Sequence, residues 1–439
     1  MTREPSASIE PIEARLERAG LPPLRRTAWI EIDTAALEAN LQRIWRMAGG
    51  QGVMPVVKAD AYGHGMVPVA RVLGGAGATA LCVATLDEAI VLDDAGLKSP
   101  ILVLYPIPPS GVEEAIRREI SVAAGDAGTL DALLEAARSR SRPDGLGLSI
   151  EIEIETGLGR GGIEPDRVVD LARRIVAAGA RIGGVWSHLQ ETEVAEITSA
   201  QVEQFEMALA GLAEAGIAVP RRHLGASAAI LLGTVPRYDA VRPGLFTYGL
   251  VPDELADVAP DALLPEGREL EPVLSLHARP VRVADLPEGH GVSYGPTWRA
   301  PEPSRIATLP LGYGDGWPRS LSNRAEVLVR GVRAPVVGNV AMDATMVDVS
   351  RVPGPPVGLE DEFVLLGRQG DAEIRAAEVA RWRTTNSWEV VTSMSARLAR
   401  VYDAPAGLSG ARRLGQMEDS WLASSSGTGI SATSRSTRS

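Results

Sequence analysis

The stretch Pro55-Val56-Val57-Lys58-Ala59-Asp60-Ala61-Tyr62-Gly63-His64-Gly65 decides how the chain is read. Val53 to Val57 is apolar, uncharged and β-rich, with Gly52 before it and Gly63 and Gly65 after it, the pattern of a short buried strand ending in a turn. Lys58 then stands at the strand's carboxyl end. Taken alone, such an amine is most often a solvated cation whose stem lies along apolar surface. The alternative is a Schiff-base lysine, which must be partly desolvated to act as a nucleophile near neutral pH.

Outward from this point the pattern repeats. Apolar runs recur at Leu81 to Ala84, Ile101 to Tyr105, Ile120 to Ala123, Leu148 to Glu155, Ile182 to His188, His223 to Gly225 and Tyr238 to Val241. Helical segments lie between them, among them Met66 to Leu73, Leu86 to Asp94, Leu130 to Ala137, Val168 to Ala178 and Ala200 to Ala215, and Thr85 with Glu88 forms a capping box. Strands alternating with helices predict an α/β chain with an N-terminal (β/α)8 TIM-type barrel. Periodicity alone leaves a doubly wound open sheet as the alternative. After about residue 265, strands at Val273 to Leu276, Val281 to Val283, Ile306 to Leu309, Ala325 to Val329, Ala334 to Val337, Thr345 to Val349 and Phe363 to Leu366 alternate with Gly/Pro turns, and helix is scarce. This predicts a mostly antiparallel β domain. The expected divisions are a polar extension over 1–27 with one short helix from Ile9 to Ala19, the barrel over 28–264, the β domain over 265–405 and a tail over 406–439 that is Ser/Thr/Gly-rich from about 424. Both ends are expected to be mobile. The first strand, at about 28–33, is a candidate to pair with the second domain.

Composition narrows the classes. The 439 residues suit about two or three domains. A net charge of -12 disfavours a nucleic-acid partner. No apolar run is long enough to span a bilayer, and residues 1–27 lack the apolar centre of a secretory signal, so a cytoplasmic location is expected. Cys82, the single cysteine, sits in an apolar run and reads as a buried inert thiol. No Walker loop or dinucleotide fingerprint is present.

The segment V-V-K-A-D-A-Y-G-H-G closely resembles the pyridoxal-phosphate signature of the alanine racemase family. Further matches are Gly291-Val292-Ser293-Tyr294-Gly295-Pro296-Thr297-Trp298, the run Gly312 to Arg319 and the run Val337 to Asp343, so the resemblance covers roughly residues 28 to 405. It implies a fold-type III enzyme that interconverts L- and D-alanine, supplying D-alanine for peptidoglycan, with pyridoxal 5'-phosphate held covalently by Lys58. Two bases on opposite faces of a planar intermediate are required, because the α-proton leaves one face and returns to the other. The resemblance gives Lys58 to the D-enantiomer and Tyr294 to the L-enantiomer. Tyr294 would reach the lysine of a partner subunit in a head-to-tail homodimer.

The same resemblance places Tyr62, Ser227, Gly244 and Leu245 at the phosphate, Arg242 at the pyridine nitrogen, and His188 between Arg242 and the catalytic tyrosine. Arg160 and the Met342 amide would hold the substrate carboxylate. Tyr313 would narrow the entrance, and Asp343 would be a supporting residue. No metal is implied. Six of these residues also have an ordinary reading: Ser227 as a helix cap, His188 as a core histidine, Arg242 as a rim ion pair, Arg160 as a solvated charge, and Tyr294 and Tyr313 as packing residues.

Three positions depart from the family pattern. Glu153 stands where a carbamylated lysine commonly faces the arginine, and we expect its carboxylate to supply that negative charge. The strand carrying Glu151, Glu153 and Glu155 puts three carboxylates on one face, which is costly inside a barrel without partners. Trp388 replaces a tyrosine whose hydroxyl reaches the phosphate. Asn339 and Ala341 alter a segment that more often reads Arg-Val-Cys-Met-Asp. Rival readings are a racemase of serine or another amino acid, a barrel-type decarboxylase, which would need a cysteine in the second domain, and a non-catalytic pyridoxal-phosphate carrier, which would need the barrel alone.

Overall fold

The computed structural model describes residues 10–138, 145–251, 255, 264–404 and 407–412. Strand β1 (Ala28–Asp33) leads into the helix Thr34–Ala48, whose start is fixed by the Asp33 carboxylate accepting from the Ala36 amide at 2.8 Å. Then β2 (Gly52–Val53), β3 (Leu81–Val83), β4 (Ile101–Val103), β5 (Ser121–Ala124), β6 (Ser149–Glu153), β7 (Arg181–Trp186), β8 (Arg222–Ala226) and β9 (Ala240–Arg242) form one parallel sheet. β2 pairs with β9, and the ring closes where Val56 bridges Cys82. The open-sheet alternative is thereby removed. The expected strand Val53 to Val57 is regular only at its start because Pro55 has no N–H for the ladder. The run is nonetheless tied on both flanks, with Val56 N donating to Pro243 O (2.8 Å) and Val57 N to Cys82 O (2.8 Å). Cys82 is fully buried, and burial pushes its thiol up to about 12.

The remaining strands are β10 (Leu274–Ala278), β11 (Arg282–Leu286), β12 (Ser304–Leu309), β13 (Glu326–Val329), β14 (Val332–Pro335), β15 (Thr345–Asp348), β16 (Phe363–Gln369), β17 (Ala372–Ile374), β18 (Ala399–Ala404) and β19 (Gly407–Arg412). One sheet runs β14-β13-β16-β10-β1-β18-β19 with β17 added to β16, and a smaller one runs β11-β12-β15. Among the described residues every pair here is antiparallel except β1 with β18. The first strand therefore belongs to the second domain's sheet.

Three features depart from expectation. Residues 10–27 are docked: Ile12 and Leu16, one helical turn apart in Ile12–Arg18, bury against Trp29 and Val401, and Arg15 pairs with Glu31 (2.8 Å) and Asp403 (3.1 Å). The first nine residues and those from 413 onward lie outside the described residues. Second, β19 continues the sheet past residue 405. Third, the β domain carries the helices Ala376–Arg383 and Ser387–Thr392, the latter capped by Asn386 accepting from the Glu389 amide at 3.0 Å. No described helix is long and apolar enough to cross a membrane.

Candidate active site

Immediately after β2's extended run the backbone turns left-handed for four residues, with φ of 54° at Ala59, 55° at Asp60, 54° at Ala61 and 52° at Tyr62. Such a turn costs L-residues roughly 1–2 kcal/mol each, so it needs external support. Asp60 Oδ1 accepts from the Met66 amide (2.8 Å) and from Arg412 of β19 (2.7 Å), and the His64 ring bonds the carbonyls of Ala61 and Tyr62, both at 2.9 Å. The turn holds Lys58 at the wall of a cavity of about 690 Å³ built from residues that follow the barrel strands. Burial, and next the nearby Arg160 charge, lower the Lys58 pKa.

Val56, Lys58, Tyr62, Arg160, His188, Ser227, Arg242, Gly244, Leu245 and Trp388 all line this one cavity. On one side Ser227 Oγ accepts from the Gly244 amide at 2.9 Å. A Cβ on Gly244 would stand 2.8 Å from the Tyr62 hydroxyl oxygen, so the glycine keeps that polar corner open. Trp388 enters from the second domain.

From Arg242 at the cavity wall a chain of polar groups runs into the barrel. Arg242, 3% exposed, donates through Nη1 to His223 Nδ1 (2.5 Å) and to His223 O (2.8 Å), and through Nη2 to Ser187 O (2.6 Å). His223 Nε2 lies 2.9 Å from Glu151 Oε2, and Arg221 closes on the other Glu151 oxygen. Burial pushes Arg242 down to about 10, which leaves it charged at neutral pH, and pushes His223 down to about 4. The Arg242 guanidinium also stacks on Trp186, 4.8 Å from the ring centre. His188 shares the cavity, where burial and then the Arg242 charge press it down to about 3, but among the described residues Arg242 is bonded to His223 and Ser187.

The three acidic side chains of the β6 region separate. Glu151 is paired as described. Room for it comes from β7, where a Cβ on Gly184 would lie 2.3 Å from Glu151 Oε2 and 2.7 Å from Arg221 O. Glu155 accepts from the amides of Gly157 and Gly159 in the turn beyond. Glu153 is buried, and desolvation raises its pKa even though the charges of Arg160 and Arg242 oppose this. Arg160 is exposed and lies over the Tyr105 ring, 5.5 Å from its centre.

Tyr294, Tyr313 and Met342 lie on the β domain and are exposed by 78%, 44% and 51%, while Asp343 pairs with Arg397 at 2.5 Å. None of these four lines the Lys58 cavity. The sequence does not single out His223, Trp186 or Tyr105, and it marks Glu151 only as a costly carboxylate without its partner. The signals for the His223–Glu151 pair were a histidine inside the Arg222-His223-Leu224-Gly225-Ala226 strand and the Gly183-Gly184 pair in a neighbouring strand, which leaves room for a bulky side chain opposite.

Among the described residues no cluster of three His, Cys, Asp or Glu side chains could hold a metal ion. Fold and site together define a two-domain barrel protein with a largely buried lysine at the wall of its cavity. Residues 32–252 match the alanine racemase N-terminal domain and residues 273–402 the alanine racemase C-terminal domain, and the chain belongs to the alanine racemase family. It is 40% identical to an alanine racemase of Symbiobacterium thermophilum over 381 residues, covering 86% of this chain and 97% of that one. The crystal structure of alanine racemase from Bacillus anthracis with bound L-Ala-P is similar at a TM-score of 0.81 and 34% identity, covering 89% and 98% of the two chains. A histidine racemase of Leuconostoc mesenteroides is similar at a TM-score of 0.75 and 26% identity, covering 87% and 99%.

Proposed function

We propose that the chain is a pyridoxal-phosphate-dependent alanine racemase that works as a head-to-tail homodimer in the cytoplasm and supplies D-alanine for peptidoglycan. One observation carries the reading: a desolvated Lys58 shares one cavity with the Ser227, Gly244 and Tyr62 corner and with the buried Arg242. An amine, a polar corner and a buried cation in one cavity are the groups that the cofactor's aldehyde, phosphate and ring nitrogen would need. Lys58 would hold it covalently, with Ser227, Gly244, Leu245 and Tyr62 at the phosphate and Trp388 nearby. When bound, the cofactor acidifies the α-proton of the amino acid.

The protein's part is positioning and proton transfer. Lowering the Lys58 pKa favours the neutral amine that can take a proton. Arg242, at about 10, stays cationic, and it is directed because His223 Nδ1, His223 O and Ser187 O accept its hydrogen bonds. A permanently charged guanidinium does not deliver a proton to the ring nitrogen, which limits electron withdrawal and favours proton return over side reactions. His188 is neutral and serves beside Arg242. Tyr294, from the partner subunit, would exchange the proton of the opposite face, with Arg160 and the Met342 amide holding the carboxylate, Tyr313 at the entrance and Asp343 behind it. Glu153 would face Arg160 with negative charge. Unchanged alanine affinity and turnover in Glu153→Gln would remove that role.

The test is L-alanine with the purified protein and pyridoxal phosphate in deuterated buffer, following D-alanine formation, beside Lys58→Ala and Tyr294→Phe. Racemisation by the parent and its loss in both variants is expected. Exchange with serine or a larger amino acid but none with alanine would instead favour the second reading, a racemase of another amino acid. Trp388 in the cavity wall favours that reading, as does the similarity to a histidine racemase. Cofactor binding without exchange into any amino acid would revive the carrier reading.

A further inference from the structure

We infer that Asn339 is a positioning residue for Tyr294, acting through the backbone of the turn that carries the phenol; the inference rests on Tyr294 being the second base. Tyr294 is 78% exposed, so side-chain packing within its own subunit does not hold it. Its direction depends on the loop from Gly291 to Arg299, whose ends meet in an isolated bridge and whose Val292 amide donates to Trp298 O at 3.2 Å. The residues on either side of Tyr294 are both left-handed, Ser293 at φ 66° and Gly295 at φ 50°. For Ser293 this is a conformation that tertiary contacts have to impose.

Asn339 supplies those contacts. Its Nδ2 donates to Tyr294 O (2.8 Å) and Gly295 O (3.1 Å), its Oδ1 accepts from Thr297 Oγ1 (3.3 Å), and its own carbonyl accepts from Ser293 Oγ (2.6 Å). The residue is only 7% exposed, so these bonds are shielded from competing water. Both amide protons meet carbonyls and the amide oxygen meets a hydroxyl, so the side chain has one satisfying orientation. Asn339 is itself anchored: Asn323 Nδ2 donates to Thr297 Oγ1 at 2.9 Å, and Asn323 Oδ1 accepts from the Gly338 amide at 2.7 Å. The buried side-chain amide of Asn339 thus gathers Tyr294, Gly295 and Thr297, while its main-chain carbonyl holds Ser293. An aspartate of the same shape would lose both donated bonds and set a carboxylate against two carbonyls.

The reading predicts a directional defect. Proton exchange at the Tyr294 face depends on where the turn points the phenol, whereas exchange at the Lys58 face does not. The experiment uses full-length protein loaded with pyridoxal phosphate in deuterated buffer and compares the parent, Asn339→Asp, Asn339→Ala, Thr297→Val and Tyr294→Phe. It reads initial α-deuterium entry into L-alanine and, separately, into D-alanine, with melting temperature and oligomeric mass recorded for each. Asn339→Asp should slow exchange into L-alanine about tenfold or more, since sub-ångström to ångström misplacement of a reacting group has effects of that size. Exchange into D-alanine should change less than about threefold on the same ground. Thr297→Val should show a smaller deficit of the same sense, which keeps the test open if Asn339→Ala does not fold. Equal loss in both directions, or no loss in either, overturns the inference while leaving Tyr294 in place. Full L-side exchange in Tyr294→Phe overturns the role of Tyr294, and the inference with it.

Discussion

His223 Nδ1 lies 2.5 Å from Arg242 Nη1, and this contact settles which nitrogen of the histidine carries its proton. A guanidinium only donates, so Nδ1 must accept, and the proton sits on Nε2, 2.9 Å from Glu151. The arginine that faces the cavity is therefore aimed by a neutral histidine, which is in turn aimed by a buried carboxylate.

His223→Ala leaves a charged donor and a buried carboxylate without their shared partner. It should cost about 2–4 kcal/mol of unfolding free energy. Cofactor affinity should fall with it. Denaturant unfolding with and without pyridoxal phosphate measures both, and a loss below about 0.5 kcal/mol would mean that the chain of bonds is not tightly coupled.

Acid should destabilise the protein through its buried histidines. Burial holds His64 and His223 each down to about 4, against about 6.5 in an unfolded chain. Between those values the unfolded state binds more protons, so stability is fully present above pH 6.5 and lost as the pH falls toward 4, on the order of 3 kcal/mol per histidine. His277 has the opposite sign, since burial lowers its pKa but Glu31 and Glu362 raise it overall, and its contribution fades as the pH rises. Urea midpoints between pH 7.5 and 4.5 should fall steadily below about 6.5, with a shallower slope in His223→Ala. A flat profile would contradict this.

The left-handed turn after Lys58 is braced by β19 through Arg412 and Asp60. That pair is partly exposed, with side-chain exposures of 18% and 37%, so its worth is up to about 1 kcal/mol. Arg412→Ala should weaken pyridoxal phosphate binding by up to about fivefold, read by absorbance titration. An unchanged affinity would show that Asp60 and His64 hold the turn without help from β19.

Arg160 lies over Tyr105 rather than in an ion pair within 4 Å of Glu153. Tyr105→Leu should raise KM for alanine about two- to fivefold with little change in kcat, as expected for about 0.5–1 kcal/mol of cation–π contact. A fall in kcat at constant KM would place Tyr105 in the chemical step instead.

Much of the fold was legible because its signals are local. The β-branched runs and the Thr85–Glu88 capping box appear where expected, with strand ends shifted by up to four residues. What stayed hidden depends on partners distant in sequence. Glu151 looked like an unsupported charge because His223 and Arg221 lie about 70 positions away and meet it only across β6, β7 and β8. The docking of Ile12–Arg18 was masked by its charged residues, although Ile12 and Leu16 already carried the helical spacing. The shared cavity of Lys58, Arg242 and Ser227 was anticipated through motifs. The grip of Asn339 on the Tyr294 turn was not, because an asparagine in a loop has many ordinary uses.

β1 pairs antiparallel with β10 and parallel with β18, so the second sheet's middle is made from the start of the chain and its flanks from the end. During synthesis that strand must wait, solvent-exposed and unpaired, while the whole barrel is produced. Only when about 240 further residues have emerged does β10 arrive, and β18 follows after more than a hundred beyond that. Cutting between barrel and β domain therefore yields no two independent pieces: one fragment keeps a strand it cannot use, and the other keeps a sheet with a gap at its centre. Fragments split at residue 264 should be soluble only when produced together, each supplying what the other lacks.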